Sequence, residues 1–131
     1  MTDVAGTAQP NPALPKPVVL IVEDDVLVRL LIADHLRESG FSVIEAANAL
    51  EAVALFGSQV AIDIVFTDHN MPGDMDGQSL ARWIEDQRPG LPVIVTSGAF
   101  HPTGAAPAHR RFIPKPYVLL DVEHLIRDLL A

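Results

Sequence analysis

The chain contains no cysteine, which excludes a disulfide framework and thiol chemistry and fits a reducing cytoplasm. It also lacks any apolar run approaching the roughly 20 residues that a membrane-spanning helix needs. The opening Met1-Thr2-Asp3-Val4-Ala5-Gly6 has neither the basic nor the apolar region of a signal peptide. Together these absences point to a cytoplasmic protein with no membrane association. Basic residues are scarce: 9 Lys and Arg stand against 17 Asp and Glu, for a net charge of −8. That balance argues against a surface devoted to nucleic acid.

What is present is enough for one globular domain. The 131 residues are 49% hydrophobic and 20% charged, sufficient to bury a real core. Residues 1–17 carry Pro10, Pro12, Pro15 and Pro17 among small residues without apolar period, and read as a flexible Pro-rich tail. Residues 18–131 form the domain. Val18–Val22 is a continuous aliphatic run, as expected of a strand covered on both faces. Val28, Leu31, Ile32 and Leu36 recur at helical spacing until Gly40. Phe41–Ala46 reads as a second strand and Ala49–Gly57 as a short helix with Leu50, Val53 and Ala54 inward. Ile62–Thr67 is a third strand, Gln78–Gln87 a helix, Val93–Thr96 a fourth strand, Phe112–Pro114 a fifth and Val118–Leu130 a closing helix. Gly98, Pro102, Gly104 and Pro107 oppose a long helix between the last two strands. The expected architecture is α/β: a doubly wound, five-stranded parallel sheet with a shortened or irregular fourth helix, and ligands at the carboxyl ends of the strands.

Chemistry-bearing residues collect at those ends. Glu23-Asp24-Asp25 follows the first strand, Asp68 the third, Thr96 ends the fourth and Lys115 follows the fifth. Seven carboxylates (Glu23, Asp24, Asp25, Asp63, Asp68, Asp74, Asp76) crowd two strand ends, and like charges held that close repel unless a cation joins them. A divalent metal is the physical expectation. Mg²⁺ suits hard oxygen ligands, with Asp24 and Asp68 as direct donors, a backbone carbonyl from the Asn70 turn, and Glu23 reaching through water. Lys115 offers a point charge and Thr96 a hydroxyl to phosphoryl oxygens. Acid cluster, lone aspartate, hydroxyl and lysine are the parts needed to phosphorylate a carboxylate by positioning and charge stabilisation.

Val22-Glu23-Asp24-Asp25, Thr67-Asp68-His69-Asn70-Met71-Pro72, Asp76-Gly77, Val95-Thr96-Ser97-Gly98 and Phe112-Ile113-Pro114-Lys115-Pro116-Tyr117 resemble the receiver domain of bacterial two-component response regulators. The resemblance covers about residues 18–130 and implies a flavodoxin-like (βα)5 fold. It implies that Asp68 is the phosphoacceptor, that Asp24, Asp68 and the Asn70 carbonyl bind Mg²⁺, and that Glu23 does so through water. It also makes Thr96 the switch hydroxyl, Lys115 its partner, and Phe112 the aromatic whose rotation accompanies activation. The Lys115–Pro116 bond is expected to be cis. The implied partners are a histidine kinase or histidine phosphotransfer protein, a downstream protein target, and a second copy on phosphorylation; a stand-alone receiver would signal by contact or onward phosphotransfer. Three features depart from the family pattern: one extra residue in Gly73-Asp74-Met75, the Pro/Gly-rich segment after Thr96, and the missing hydroxyl at Phe112.

Blander roles compete for some of these residues. Asp25 fits a helix cap, Phe112 and Trp83 fit packing, and His69 is singled out among the histidines because it borders Asp68, where it could tune water access. Rival functions fit the same residues less well. A small phosphatase working through an aspartyl-phosphate would need a second acid two residues after Asp68, where Asn70 stands. A flavin-binding protein would need a Gly/Ser/Thr phosphate loop after the first strand, where the turn is acidic. A degenerate receiver acting only as a binding module is opposed by the intact acid, hydroxyl and lysine set.

Overall fold

Short aliphatic strands that read as hydrophobic throughout can be stable only when helices cover both of their faces. The computed structural model, which describes residues 15–99 and 109–131, has that arrangement. Its elements run β1 (Val18–Val22), α1 (Val26–Glu38), β2 (Ser42–Ala46), α2 (Ala49–Phe56), β3 (Ile64–Asp68), α3 (Gly77–Gln87), β4 (Val93–Ser97), β5 (Arg110–Pro114) and α4 (Leu119–Leu130). All strand pairs are parallel and the order is β2-β1-β3-β4-β5. This is the flavodoxin-like doubly wound sheet, whose chain reverses direction of travel beside β1 and β3.

Alternation along the strands divides the core in two. Val19, Ile21, Ile64, Phe66 and Ile94 face α1 and α4, where they meet Ile32, Leu36, Val122 and Ile126. Leu20, Val22, Val65, Val93 and Val95 face α2 and α3, where they meet Ala49, Ala52, Phe56, Leu80 and Ile84. Glycine closes α1: Gly40, directly after the C-cap Ser39, has φ +102°, a conformation that costs other residues strain.

Several boundaries and faces differ from the sequence expectation. β3 starts at Ile64 rather than Ile62 because the Asp63 carboxylate turns back to accept the Val18 N–H at 2.7 Å; it extends to include Asp68. β5 begins at Arg110, two residues early, where Arg110 is held by a two-point contact to Glu85 of α3 at 2.7 Å. In α2 the buried residues are Ala49, Ala52 and Phe56, whereas Leu50 is 70% exposed and Ala54 also faces out. Its sequence is apolar nearly all round, so periodicity could not choose a face; the small alanines let the helix approach the sheet closely. Leu31 of α1 likewise points outward. The expected irregular fourth helix lies in residues 100–108 and most of the expected tail in 1–14, outside the described residues. Pro17, at the tail's end, is tied down: its carbonyl accepts the Ser42 N–H at 2.9 Å. Among the described residues no helix is long and apolar enough to cross a membrane.

Candidate functional site at the carboxyl ends of the strands

The period of two that builds the core also assembles the site. On the α1/α4 face, Val19 and Ile21 are followed two residues later by Glu23; Ile64 and Phe66 lead to Asp68, Ile94 to Thr96 and Ile113 to Lys115. The ladder carries this register to its very edge. Asp68 sits opposite Thr96 and Thr96 opposite Ile113. Just past the strands, Glu23 N–H donates to Ala46 O and Lys115 N–H to Ser97 O, both at 3.0 Å. Four side chains from four strands thus rise on one side of one sheet edge.

Their geometry is close. Carboxylate oxygens of Glu23, Asp24 and Asp68 lie within 4.8 Å of one another. Lys115 Nζ lies 3.0 Å from Asp68 Oδ1 in an ion pair, and the Lys115–Pro116 bond that follows is cis, as expected. Glu23, Asp68 and Thr96 are buried, while Asp24 is exposed at the mouth. The buried Asp68 Oδ1 and Thr96 Oγ1 have no hydrogen-bond partner, an uncommon state for buried polar atoms. A carboxylate met only by an ammonium, beside a hydroxyl with no partner, describes a site shaped for a group that brings its own hydrogen-bonding atoms.

The acids are held rather than loose. Asp25 caps α1, its Oδ1 accepting from Leu27 and Val28 N–H groups at 3.0 and 3.1 Å, which bears out its reading as a cap. The Asp25 N–H donates to Glu23 Oε2 at 3.0 Å. Burial pushes the Glu23 carboxyl up to about 7; the Asp25 N–H and Lys115 oppose that rise and the Asp68 charge adds to it. Two like charges within this spacing cost about 3 kcal/mol at an effective dielectric of about 20. A divalent cation relieves that repulsion, and an all-oxygen donor set of this kind fits Mg²⁺.

The remaining expected residues fall in two places. Asn70 lies exposed in the loop after β3, two residues past Asp68. Phe112 sits on the opposite sheet face, packed against the α2/α3 cluster. His69 also turns that way: its Nε2 is 3.8 Å from Asp76 Oδ2, at the N-cap of α3, rather than over the Asp68 carboxylate. Three supporting residues have roles that the sequence motifs do not assign, although Gly77 and Tyr117 stand within those motifs. A Cβ on Gly77 would collide with the Asp68 carbonyl oxygen and stand 2.7 Å from His69 Cα, so only glycine lets α3 start against the end of β3. Tyr117 packs edge-on to Phe66 with centroids 5.8 Å apart, and burial, then the Glu23 and Asp68 charges, push its hydroxyl up to about 12. Arg29 donates to the Glu23 carbonyl at 2.7 Å; an arginine one turn after the cap, amid the apolar first half of α1, is the available signal.

Comparison with known proteins agrees with this geometry. The sensor kinase CckA of Brucella abortus is 34% identical over 98% of this chain, which spans 13% of that kinase. The transcriptional regulator NtrC of Salmonella typhimurium is 29% identical over 87% of the chain, here 25% of the relative's length. Among solved structures, the receiver domain of the hybrid histidine kinase CckA aligns with TM-score 0.74 and 29% identity, covering 87% of this chain and 99% of that one. Receiver domains bind Mg²⁺ at an acidic pocket, interact with histidine kinases or phosphotransfer proteins, and are signalling phosphoacceptors rather than ordinary enzymes. The family profile for the response regulator receiver domain matches residues 19–123, through every strand end that builds the pocket, and the chain therefore belongs to that family of two-component signalling domains.

Proposed function

We propose that Asp68 accepts a phosphoryl group from a histidine kinase or histidine phosphotransfer protein in a two-component or phosphorelay system. The observation that carries this reading is the Lys115 ammonium 3.0 Å from Asp68 Oδ1, with two further carboxylates within 4.8 Å. Asp24, Asp68 and the Asn70 main-chain carbonyl would hold Mg²⁺ directly, and Glu23 through water. Bound there, the cation supplies charge neutralisation between the acids and the incoming phosphoryl oxygens.

The chain's own residues account for the rest. Asp68 attacks phosphorus as the P–N bond of a donor phosphohistidine breaks; the bond pair stays on the ring, which, protonated on its other nitrogen, leaves as a neutral histidine while Asp68 becomes an aspartyl-phosphate. Lys115 is placed to stabilise a phosphoryl oxygen, and the unpartnered Thr96 hydroxyl has a hydrogen bond to donate to another. Movement of Thr96 towards the phosphoryl group, with repacking of Phe112 on the other face of the sheet, would bias the surface around residues 97–130 towards a downstream protein or a second copy. The donor would approach over α1 and the β5–α4 connection. There Val28, Leu31, Ile32, Pro116 and Leu119 line an apolar groove of about 510 Å³ that also reaches Lys115. These exchanges are cytoplasmic ones.

Incubation with Mg²⁺ and a small phosphodonor such as acetyl phosphate should give an acid-stable, base-labile phosphoryl group, absent in Asp68→Asn. Equal labelling of Asp68→Asn, or no labelling of the wild type by either acetyl phosphate or a kinase, would overturn the reading. Leu31→Asp should slow transfer from a protein donor and leave the small donor unaffected.

A further inference from the structure

Glu23 is pinned at both ends. Its carboxylate accepts the Asp25 N–H at 3.0 Å, and its main-chain carbonyl accepts Arg29 Nη1 at 2.7 Å. The second contact fixes the peptide joining Glu23 to Asp24, since a peptide plane cannot turn without moving its carbonyl. Arg29 is itself immobilised. Its Nε donates to Glu45 Oε1 on β2 at 3.1 Å, and only 16% of its side chain is exposed. Glu45 is held from its other oxygen by Arg37 Nη2 at 3.1 Å, and that same nitrogen donates to Val43 O at 3.1 Å. A strap of alternating charges therefore runs along the edge strand β2, Arg37 to Glu45 to Arg29, and ends on the peptide that presents Asp24.

Stability alone does not require this end point. The Arg29–Glu45 pair already ties α1 to β2, and the Glu23 N–H bond to Ala46 O already continues the sheet. What the third contact adds is direction. Asp24 is exposed and its side chain hydrogen-bonds only the neighbouring Glu23 carboxyl, so the orientation of the peptide between the two helps aim it at Asp68. A guanidinium suits that task because its planar fork reaches a carbonyl and a carboxylate at once.

We infer that Arg29 is a positioning residue for the acid pocket, acting through the Glu23–Asp24 peptide to orient Asp24 towards a divalent cation. This rests on the reading of the pocket as a Mg²⁺ site. Residues that orient metal ligands typically change affinity by about 10- to 100-fold when lost. Arg29→Met should therefore weaken Mg²⁺ binding about tenfold in isothermal titration, at the lower end of that range. Arg29→Lys should recover part of the loss. Glu45→Gln breaks the pair to β2 yet leaves Arg29 on the Glu23 carbonyl, so its Mg²⁺ affinity should stay within about twofold of wild type while its melting temperature falls as in Arg29→Met.

Equal weakening in Arg29→Met and Glu45→Gln would reduce Arg29 to a structural strap and overturn the inference, as would Arg29→Met binding Mg²⁺ like wild type. Failure of the wild type itself to bind Mg²⁺ would overturn the reading of the pocket instead. The metal-free proteins then still decide the positioning role: the Asp24 backbone amide resonance should shift in Arg29→Met and not in Glu45→Gln, and an unmoved Asp24 amide in Arg29→Met would overturn it.

Discussion

The α1/α4 face of the sheet and the α2/α3 face are built from the same strands but finish differently. On the first, aliphatic side chains give way at the strand ends to Glu23, Asp68, Thr96 and Lys115, where the Thr96 hydroxyl is buried without a partner and Asp68 Oδ1 meets only the Lys115 ammonium. On the second, Val22, Val95 and Phe112 stay in apolar packing. The Thr67 hydroxyl is satisfied by the Asp68 carbonyl at 2.9 Å, and Arg110 by Glu85. One face leaves polar capacity unspent for a ligand, while the other holds the backbone still beneath it. A step of one residue along a strand moves a side chain from the first job to the second.

The largest effect should come from the supporting face. Gly77→Ala forces a methyl group into the Asp68 carbonyl, so α3 must back away from β3; the expected loss is about 3 kcal/mol in urea unfolding. A loss under about 1 kcal/mol would show that the two elements are less tightly fitted than the contact implies.

On the chemical face, Glu23 should make Mg²⁺ binding depend on pH. Its folded carboxyl is raised from 4.5 to about 7, so its contribution to stability is full below 4.5 and is lost as pH rises through about 7. Cation binding needs the ionised form, and affinity should improve roughly tenfold from pH 6 to 8. Glu23→Gln should flatten that profile; an unchanged slope would mean another group titrates.

The next effect tests what holds α1 to α4 behind the pocket. Glu123 accepts from His35 at 2.9 Å, Ser39 at 3.0 Å and Arg127 at 3.1 Å. Burial opposes ionisation there, but these hydrogen bonds outweigh it and hold the carboxyl below its usual 4.5. The resulting stability is present above pH 4.5 and lost as pH falls through the lowered value. Glu123→Gln should cost about 1 kcal/mol at pH 7, measured by thermal unfolding, with a smaller difference in acid.

Smallest in stability, and opposite in sign, is Thr96→Val. Removing a buried hydroxyl that has no partner should leave stability unchanged or raise it by up to about 1 kcal/mol, while slowing phosphorylation by acetyl phosphate. A clear destabilisation would mean the hydroxyl is already satisfied at rest, and the contrast between the two faces would weaken.

Much of this was legible beforehand because parallel strands carry strong signals. Val18–Val22 and Val93–Ser97 are nearly unbroken β-branched runs, and a functional residue just beyond such a run lands at the carboxyl edge whatever the loops do. Helical faces were less legible. In α2 every position but Glu51 is apolar, so the pattern puts Leu50 and Ala54 inward, and only packing against β1 and α3 turns Ala49, Ala52 and Phe56 in instead. His69 drew notice for its neighbour in sequence; the pleat sent it towards Asp76 instead. The roles of Gly77 and Arg29 left almost no trace, since they concern backbone atoms distant in the chain.

Sequence by itself determined the order of strands and helices, the acidic balance, and which residue types stand at which strand ends. Those properties are local: they follow from side-chain chemistry and a period of two or 3.6. The tertiary structure alone decided that Lys115 meets Asp68 at 3.0 Å, that the buried Thr96 hydroxyl keeps no partner, and that Arg29 reaches the Glu23 carbonyl. Such distances depend on strand register and on how closely helices approach the sheet, and both are settled only when the two apolar faces are buried together.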